Sequence, residues 1–258
     1  MKALVGQIQV ELTLFMRDKT VILFSLFFPV LTVAFFGYLN QGGQVPVPSA
    51  AGGSGVKGGE VSYASFLIAG GIGMVVSSAA FQNLSAALAR QRDAGILKRL
   101  GGTPLRARTL VSAKAIIAGA VILGQTLIMV ALNVLLFKAK LGGSPFWTLA
   151  VLILGVVAFS LMGISLAGLC RNADVASAAG MAIALPMQFL SGTLFPLEGM
   201  PPALRHLAQV LPLTYFVNAL RGAMLTGGGP AEYARDWLIL LGCLAVASVV
   251  AVKTFRWE

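Results

Sequence analysis

Apolar residues in this chain come in blocks long enough to cross a lipid bilayer, and that property limits the possible folds more than any motif does. A helix needs roughly 20 apolar residues to cross about 30 Å of hydrocarbon. Six stretches have that length: about 20–39, 62–89, 110–137, 147–169, 175–195 and 234–253. Of the 258 residues, 57% are hydrophobic and 11% charged, against about 25% charged in an average soluble domain. The fold expected is an all-α integral membrane protein with six transmembrane helices in one domain, residues 1–258.

The net charge of +10 raises the question of nucleic acid. Most of the excess lies beside apolar blocks, so membrane topology accounts for it and no nucleic acid is expected. With both termini cytoplasmic, the inner segments hold thirteen Lys/Arg, seven of them from Arg90 to Lys114, and the outer segments hold six. That is the positive-inside bias, and an even number of spans agrees with it. Glu11 precedes the first long apolar run, which starts only after Thr20, so the first span reads as uncleaved. The two cysteines, Cys170 and Cys243, fall in different blocks and predict neither a disulfide nor a metal site.

Between the spans, four segments have distinct characters. In residues 1–19, Leu4, Val5, Ile8, Leu12, Phe15 and Met16 recur at helical spacing, which predicts an amphipathic helix in the inner interface. Residues 40–61 are rich in Gly, Pro and Ser and read as a flexible external loop. Its "GGSGVKGG" lacks the spacing of a phosphate-binding loop. Residues 196–229 are apolar but cut by Pro196, Pro201, Pro202, Pro212 and Gly227 to Gly229. The pieces 202–211 and 213–225 are too short to cross a bilayer, so they predict a re-entrant helix pair before the last span. Glu198 and His206 then fall near the outer interface.

The fourth segment, residues 90–109, is "RQRDAGILKRLGGTPLRART". Asp93 near the start and Lys98 and Arg99 near the end suit the dipole of a short helix over about 92–100. Gly101 and Gly102 stop it, and Thr103 with Pro104 can start the next helix. Ile96, Leu97 and Leu100 share one side, with Arg92, Asp93 and Arg99 at the rim. Two functions fit: a topology signal facing anionic headgroups, or a docking helix for a cytoplasmic partner.

Span interiors hold almost no ionisable residues, which weighs against a proton relay or a voltage sensor. There is no H-E-x-x-H pair, and the single histidine, His206, has no evident orienting partner, so hydrolytic catalysis is not expected. Polar uncharged residues do occur in the spans: Ser77, Ser78, Gln82, Asn83, Gln125, Asn133, Gln188, Ser191 and Thr193. Such residues commonly join helices inside membranes, at roughly 1 kcal/mol or less per contact. Gln82, Asn83, Gln188 and Ser191 are the candidates for lining a path, Gln188 and Ser191 lying three apart before the re-entrant pair. The run "ASAAGMAIA", 176–184, allows close helix approach, and Pro186 predicts a kink.

The segment "RQRDAGILKRLGGTPLRARTLVSAK" closely resembles the one that follows the second span in ABC-2 type transporter permeases. "FLSGTLFPLEGMPPALRHLAQVLPLTYFVNALRGAML" resembles their second hallmark, between the fifth and sixth spans. One departure is Gln91-Arg92-Asp93, where many members carry Glu-Arg-Glu. The resemblance implies the membrane subunit of a prokaryotic exporter in the plasma membrane, not an enzyme by itself. It implies that the short helix is a coupling helix contacting a separate ATPase through Arg92, Asp93, Ile96, Leu97, Arg99 and Leu100. ATP and Mg would be bound by that ATPase, with two permeases, expected to be two copies of one chain, and two ATPases per unit. The first and fifth spans would lie near the permease–permease interface. Members move polysaccharides, lipids, drugs, antibiotics or peptides. The competing readings are a non-transporting membrane scaffold and an uncoupled channel.

Overall fold

The computed structural model describes residues 19–40, 42–46, 60–101, 107–137 and 142–254. The expected interfacial helix of 1–19, most of the 40–61 loop, and the stop and restart at Gly102, Thr103 and Pro104 lie outside the described residues.

The helices are α1 (Lys19–Leu39), α2 (Tyr63–Asp93), α3 (Ile96–Gly101), α4 (Ala107–Phe137), α5 (Pro145–Leu169), α6 (Ala173–Leu190), α7 (Pro202–Ala208), α8 (Pro212–Arg221) and α9 (Ala234–Thr254). Four of them, α2, α5, α6 and α9, are long and apolar enough to cross a membrane. α1 and α4 occupy the stretches read as the first and third spans, with shorter described apolar runs, Phe27–Leu39 and Gly119–Leu135.

Local chemistry sets several of the boundaries. Ser62 caps α2 by accepting the Ser65 N–H, and Ser144 accepts the Trp147 N–H at the start of α5. Asn172 accepts the Val175 N–H at the start of α6. Pro145, Pro202 and Pro212 each sit in a first helical turn, where a missing N–H costs nothing. Pro186 lies inside α6, whose helical run continues to Leu190.

Three expectations change. The flanks of the 40–61 loop pair as a two-stranded antiparallel ribbon, β1 (Gln44–Pro46) on β2 (Glu60–Ser62), because Val45 and Val61 pack on the Tyr63–Leu194 cluster. The second span runs past residue 89 to Asp93 and holds a π-helical stretch, Ala79–Leu84. The helix expected over 92–100 is broken: α2 ends at Asp93, and α3 begins at Ile96. Between them Gly95 takes φ +68°, a left-handed conformation that glycine adopts without a Cβ clash.

The bundle has two distinct ends. At one, the Tyr63 hydroxyl donates to Leu194 O at 2.6 Å, Gly143 N–H donates to Met224 O at 2.9 Å, and Trp147 meets Trp237 edge-on. This end gathers the ribbon, the start of α5, the end of α6, α8 and the start of α9. At the other end lie α3, the α5–α6 corner and the end of α9, where Leu97, Ile164 and Ala251 pack together. The core between them centres on α2, whose residues from Phe66 to Phe81 are all buried. Ala176, Gly180 and Ala184, one turn apart on α6, are all buried. A methyl at Gly180 would overlap the Phe81 carbonyl, and one at Gly163 on α5 would overlap that of Ala80. The small-residue run thus serves packing inside the chain: two glycines let neighbouring helices grip the π-helical stretch.

Candidate functional site

The residues expected to contact an ATPase occupy the corner end of the bundle. Arg92, in the last turn of α2, donates from Nη1 to Ala167 O at 3.0 Å and from Nη2 to Cys170 O at 2.7 Å. Both carbonyls belong to the C-terminal end of α5, where the helix dipole favours a cation. Asp93 Oδ2 accepts the Ala173 N–H at 2.8 Å, at the N-terminus of α6, where a carboxylate is favoured. Arg92 Nε and Asp93 Oδ1 are 3.8 Å apart. One dipeptide therefore ties the end of α2 to both sides of the three-residue corner 170–172. Burial pushes the Cys170 thiol pKa up, opposed by the nearby Arg92 guanidinium.

The sides of α3 are also redistributed. Leu97 is 1% exposed and packs with Leu88, Ile164, Ala167 and Ala251, so it faces its own chain and not outward. Gly95 turns the chain between Asp93 and Ile96, and of the expected ridge Leu97 faces inward while Ile96 stays exposed. Ile96, Lys98 and Arg99 are exposed, and Leu100 follows in the same helix.

The four path candidates separate into two pairs. Gln188 is buried, its Nε2 donating to Ser77 Oγ and Ser78 Oγ, each at 2.9 Å, while its backbone carbonyl accepts Thr193 Oγ1. Gln188 Oε1 and Ser191 Oγ are buried without a hydrogen-bond partner among the described residues. Gln188 thereby joins α6 to α2 within the chain. Gln82 and Asn83 are half-buried on the π-helical stretch. Just past that stretch the Ser85 hydroxyl donates to the Phe81 carbonyl within it. Asn133 is buried and donates to Met129 O within α4. His206 is exposed, its Nδ1 2.8 Å from Pro202 O.

Arg221 is the residue that span-interior reasoning passed over, having counted it among external charges. It is 1% exposed. Its Nη2 lies 2.6 Å from Gly192 O and 3.3 Å from Thr193 O, its Nε lies 3.4 Å from Phe66 O, and its guanidinium stacks 3.6 Å from the Phe66 ring centre. A signal was present: Leu213, Phe216, Val217, Leu220 and Arg221 fall on one helical face, so Arg221 continues an apolar stripe. It fastens α8 to the turn where α6 ends. Beyond it the helix continues as a π-helical turn, Gly222–Thr226, whose Ala223 and Met224 carbonyls accept the Ser144 and Gly143 N–H groups.

Comparison with known proteins places this arrangement. The ABC-2 type transporter family matches residues 7–225, through both interrupted segments. Nodulation protein J of Neorhizobium galegae is 30% identical over 203 residues, covering 74% of this chain and 71% of that protein. The probable multidrug ABC transporter permease YbhR of Escherichia coli K12 is 26% identical over 199 residues, covering 76% of this chain and 53% of that one. The inner membrane transport permease YhhJ of the same strain is 27% identical over 173 residues, 66% of this chain and 46% of that one. The chain thus spans about half the length of these two E. coli relatives. With a family match over most of its length and several helices fit to cross a membrane, this chain belongs to the ABC-2 type transporter family of multi-pass membrane permeases.

Proposed function

We propose that this chain is the permease subunit of an ATP-driven exporter in a prokaryotic plasma membrane. It crosses six times, with both termini and α3 on the cytoplasmic side and residues 196–229 re-entering from outside. Two copies pair with two copies of a separate ATPase, which binds ATP and Mg. The observation that carries the reading is a charged helix, α3, standing at one end of a family-matched bundle with Ile96, Lys98 and Arg99 outward. An exposed apolar residue among cations fits a groove in a soluble partner. Arg99 and Ile96 meet the ATPase, while Leu97 supports the helix from behind. Gln82 and Asn83, on the irregular stretch of α2, border the path.

The test is purification of the tagged permease from its own membranes. The expected result is a co-purifying polypeptide with a Walker A sequence whose hydrolysis responds to the permease. Ile96→Asp and Arg99→Glu should each release it without lowering the amount of permease in the membrane. Both variants retaining full ATPase binding would mean that α3 is a topology signal or a scaffold element instead.

A further inference from the structure

We infer that the angle between α5, α8 and α9 is a binding site for a primary ammonium group, with Asp236 as its counter-charge and Asn218 Oδ1 as a second acceptor. The site lies at the ribbon end of the bundle, away from α3 and from any ATPase contact.

Asp236 stands in the first turn of α9 and is 6% exposed. One turn further along the same face Leu240 enters the main core, so this side of α9 is turned into the protein. The neighbours of Asp236 fix the walls. Arg235 lies 5.9 Å from the Tyr215 ring centre of α8, and Trp237 meets Trp147 of α5 with ring centres 6.1 Å apart. Tyr233, one turn earlier, is so close to the end of α8 that a methyl at Gly222 would overlap its ring. Asp236 therefore faces the angle between α5 and α8. Tyr215, Asn218 and Gly222 follow one side of α8 at helical spacing, and the outer two already meet Arg235 and Tyr233. Asn218 is the residue between them.

Three polar groups here lack partners. The Asp236 carboxylate reaches only its own backbone N–H, and no cation lies within ion-pairing distance of it among the described residues. Asn218 Oδ1 and Trp237 Nε1 are buried with no hydrogen-bond partner among the described residues. A buried charge is costly unless it is paired, and buried amide and indole groups normally find partners. Water can serve the two neutral groups but brings no charge to the carboxylate. One carboxylate and one amide oxygen are too few ligands for a calcium or magnesium cage. Aromatic walls around a carboxylate suit an organic cation instead. A quaternary ammonium has no N–H for Asn218 Oδ1, whereas a primary ammonium has donors for both acceptors. The exposed Arg235 and the Trp237 N–H then suit an acceptor on the same molecule, as the phosphate of an aminophospholipid head group is.

The experiment follows tryptophan fluorescence of the full-length protein in detergent, because Trp147 and Trp237 form one wall of the site. The probes are ethanolamine, dihexanoyl phosphatidylethanolamine and dihexanoyl phosphatidylcholine. The expected result is a saturable change with one or both ethanolamine probes and none with phosphatidylcholine. Saturation by the phosphatidylethanolamine alone assigns the ammonium to a lipid head group, and equal saturation by ethanolamine assigns it to a soluble amine. Asp236→Asn, of equal size, should weaken binding about tenfold, the loss of one charge-assisted hydrogen bond. Asn218→Leu should weaken it less, and thermal midpoints on the same samples show which variants fold. A folded Asp236→Asn protein that binds as tightly as the parent would overturn the site. So would a parent protein that gives no saturable change with either ethanolamine probe, or the same change with phosphatidylcholine, and that comparison needs no variant. No readout here involves an ATPase, so failure of the exporter reading and failure of this site are separate results.

Discussion

Asp93 accepts the backbone N–H of Ala173 at 2.8 Å across eighty positions of sequence. The contact joins the end of one long helix to the beginning of another, and it converts an expected rim charge into an internal fastening. Arg92 beside it does the same for the end of α5. The outward surface of α3 is left to Ile96, Lys98 and Arg99.

Leu97 consequently acts on stability before it acts on any partner. Leu97→Ala should cost about 2–5 kcal/mol, the range for removing a buried leucine side chain. Leu97→Asp should cost more, by burying a carboxylate among Leu88, Ile164 and Ala251. Thermal unfolding in detergent measures both, and a Leu97→Asp protein as stable as the parent would contradict the burial.

Gly163 and Gly180 should tolerate no side chain. Alanine at either position meets a backbone carbonyl of the π-helical stretch, which cannot rotate aside as a side chain would. Overpacking of this kind costs about 1–3 kcal/mol. Gly242→Ala, in a helix with nothing near the added methyl, is the control and should be neutral or stabilising by up to about 1 kcal/mol. Equal unfolding midpoints for all three variants would count against the close approach.

Arg221→Leu should leave the Gly192 and Thr193 carbonyls without their donor, at about 1–3 kcal/mol for each group that finds no substitute. Arg221→Lys should recover part of that loss, because an ammonium can reach one carbonyl but cannot reproduce the planar stack on Phe66. The order of midpoints, parent above Lys above Leu, is the measurement. Leu equal to the parent would show that the guanidinium adds nothing to the fold.

Cysteine labelling in intact cells tests the orientation. Ser54→Cys and Arg205→Cys should react with an impermeant reagent from outside, and Arg99→Cys only after the membrane is opened. The lysine and arginine asymmetry motivates the assignment. External labelling at Arg99 would invert the proposed topology.

How much was legible beforehand differs between elements. Local rules made Pro202 and Pro212 legible as helix starts; Ser144 and Asn172 cap their helices by equally short-range chemistry, at starts two residues ahead of those expected near 147 and 175. The short polar helix between the second and third apolar blocks was likewise readable, although Gly95 moved its start to Ile96. The contact side of that helix was not readable. Ile96, Leu97 and Leu100 form a ridge in any helix, and periodicity cannot tell whether a ridge meets a partner or its own chain.

By itself, the sequence determined the helical membrane architecture, through apolar runs whose length is matched to hydrocarbon, and the family, through two interrupted segments in a set order. Tertiary structure alone decided that Leu97 faces inward, that Arg221 is buried on carbonyls and a phenyl ring, that Gln188 binds Ser77 and Ser78, and that Arg92 and Asp93 fasten a distant corner. The physical reason is range. Capping, turn chemistry and hydropathy act over a few residues, whereas the named bonds of Arg221, Gln188, Arg92 and Asp93 join residues at least twenty-eight positions apart, and Leu97 is covered by Ile164 and Ala251, partners that exist only once the helices have packed.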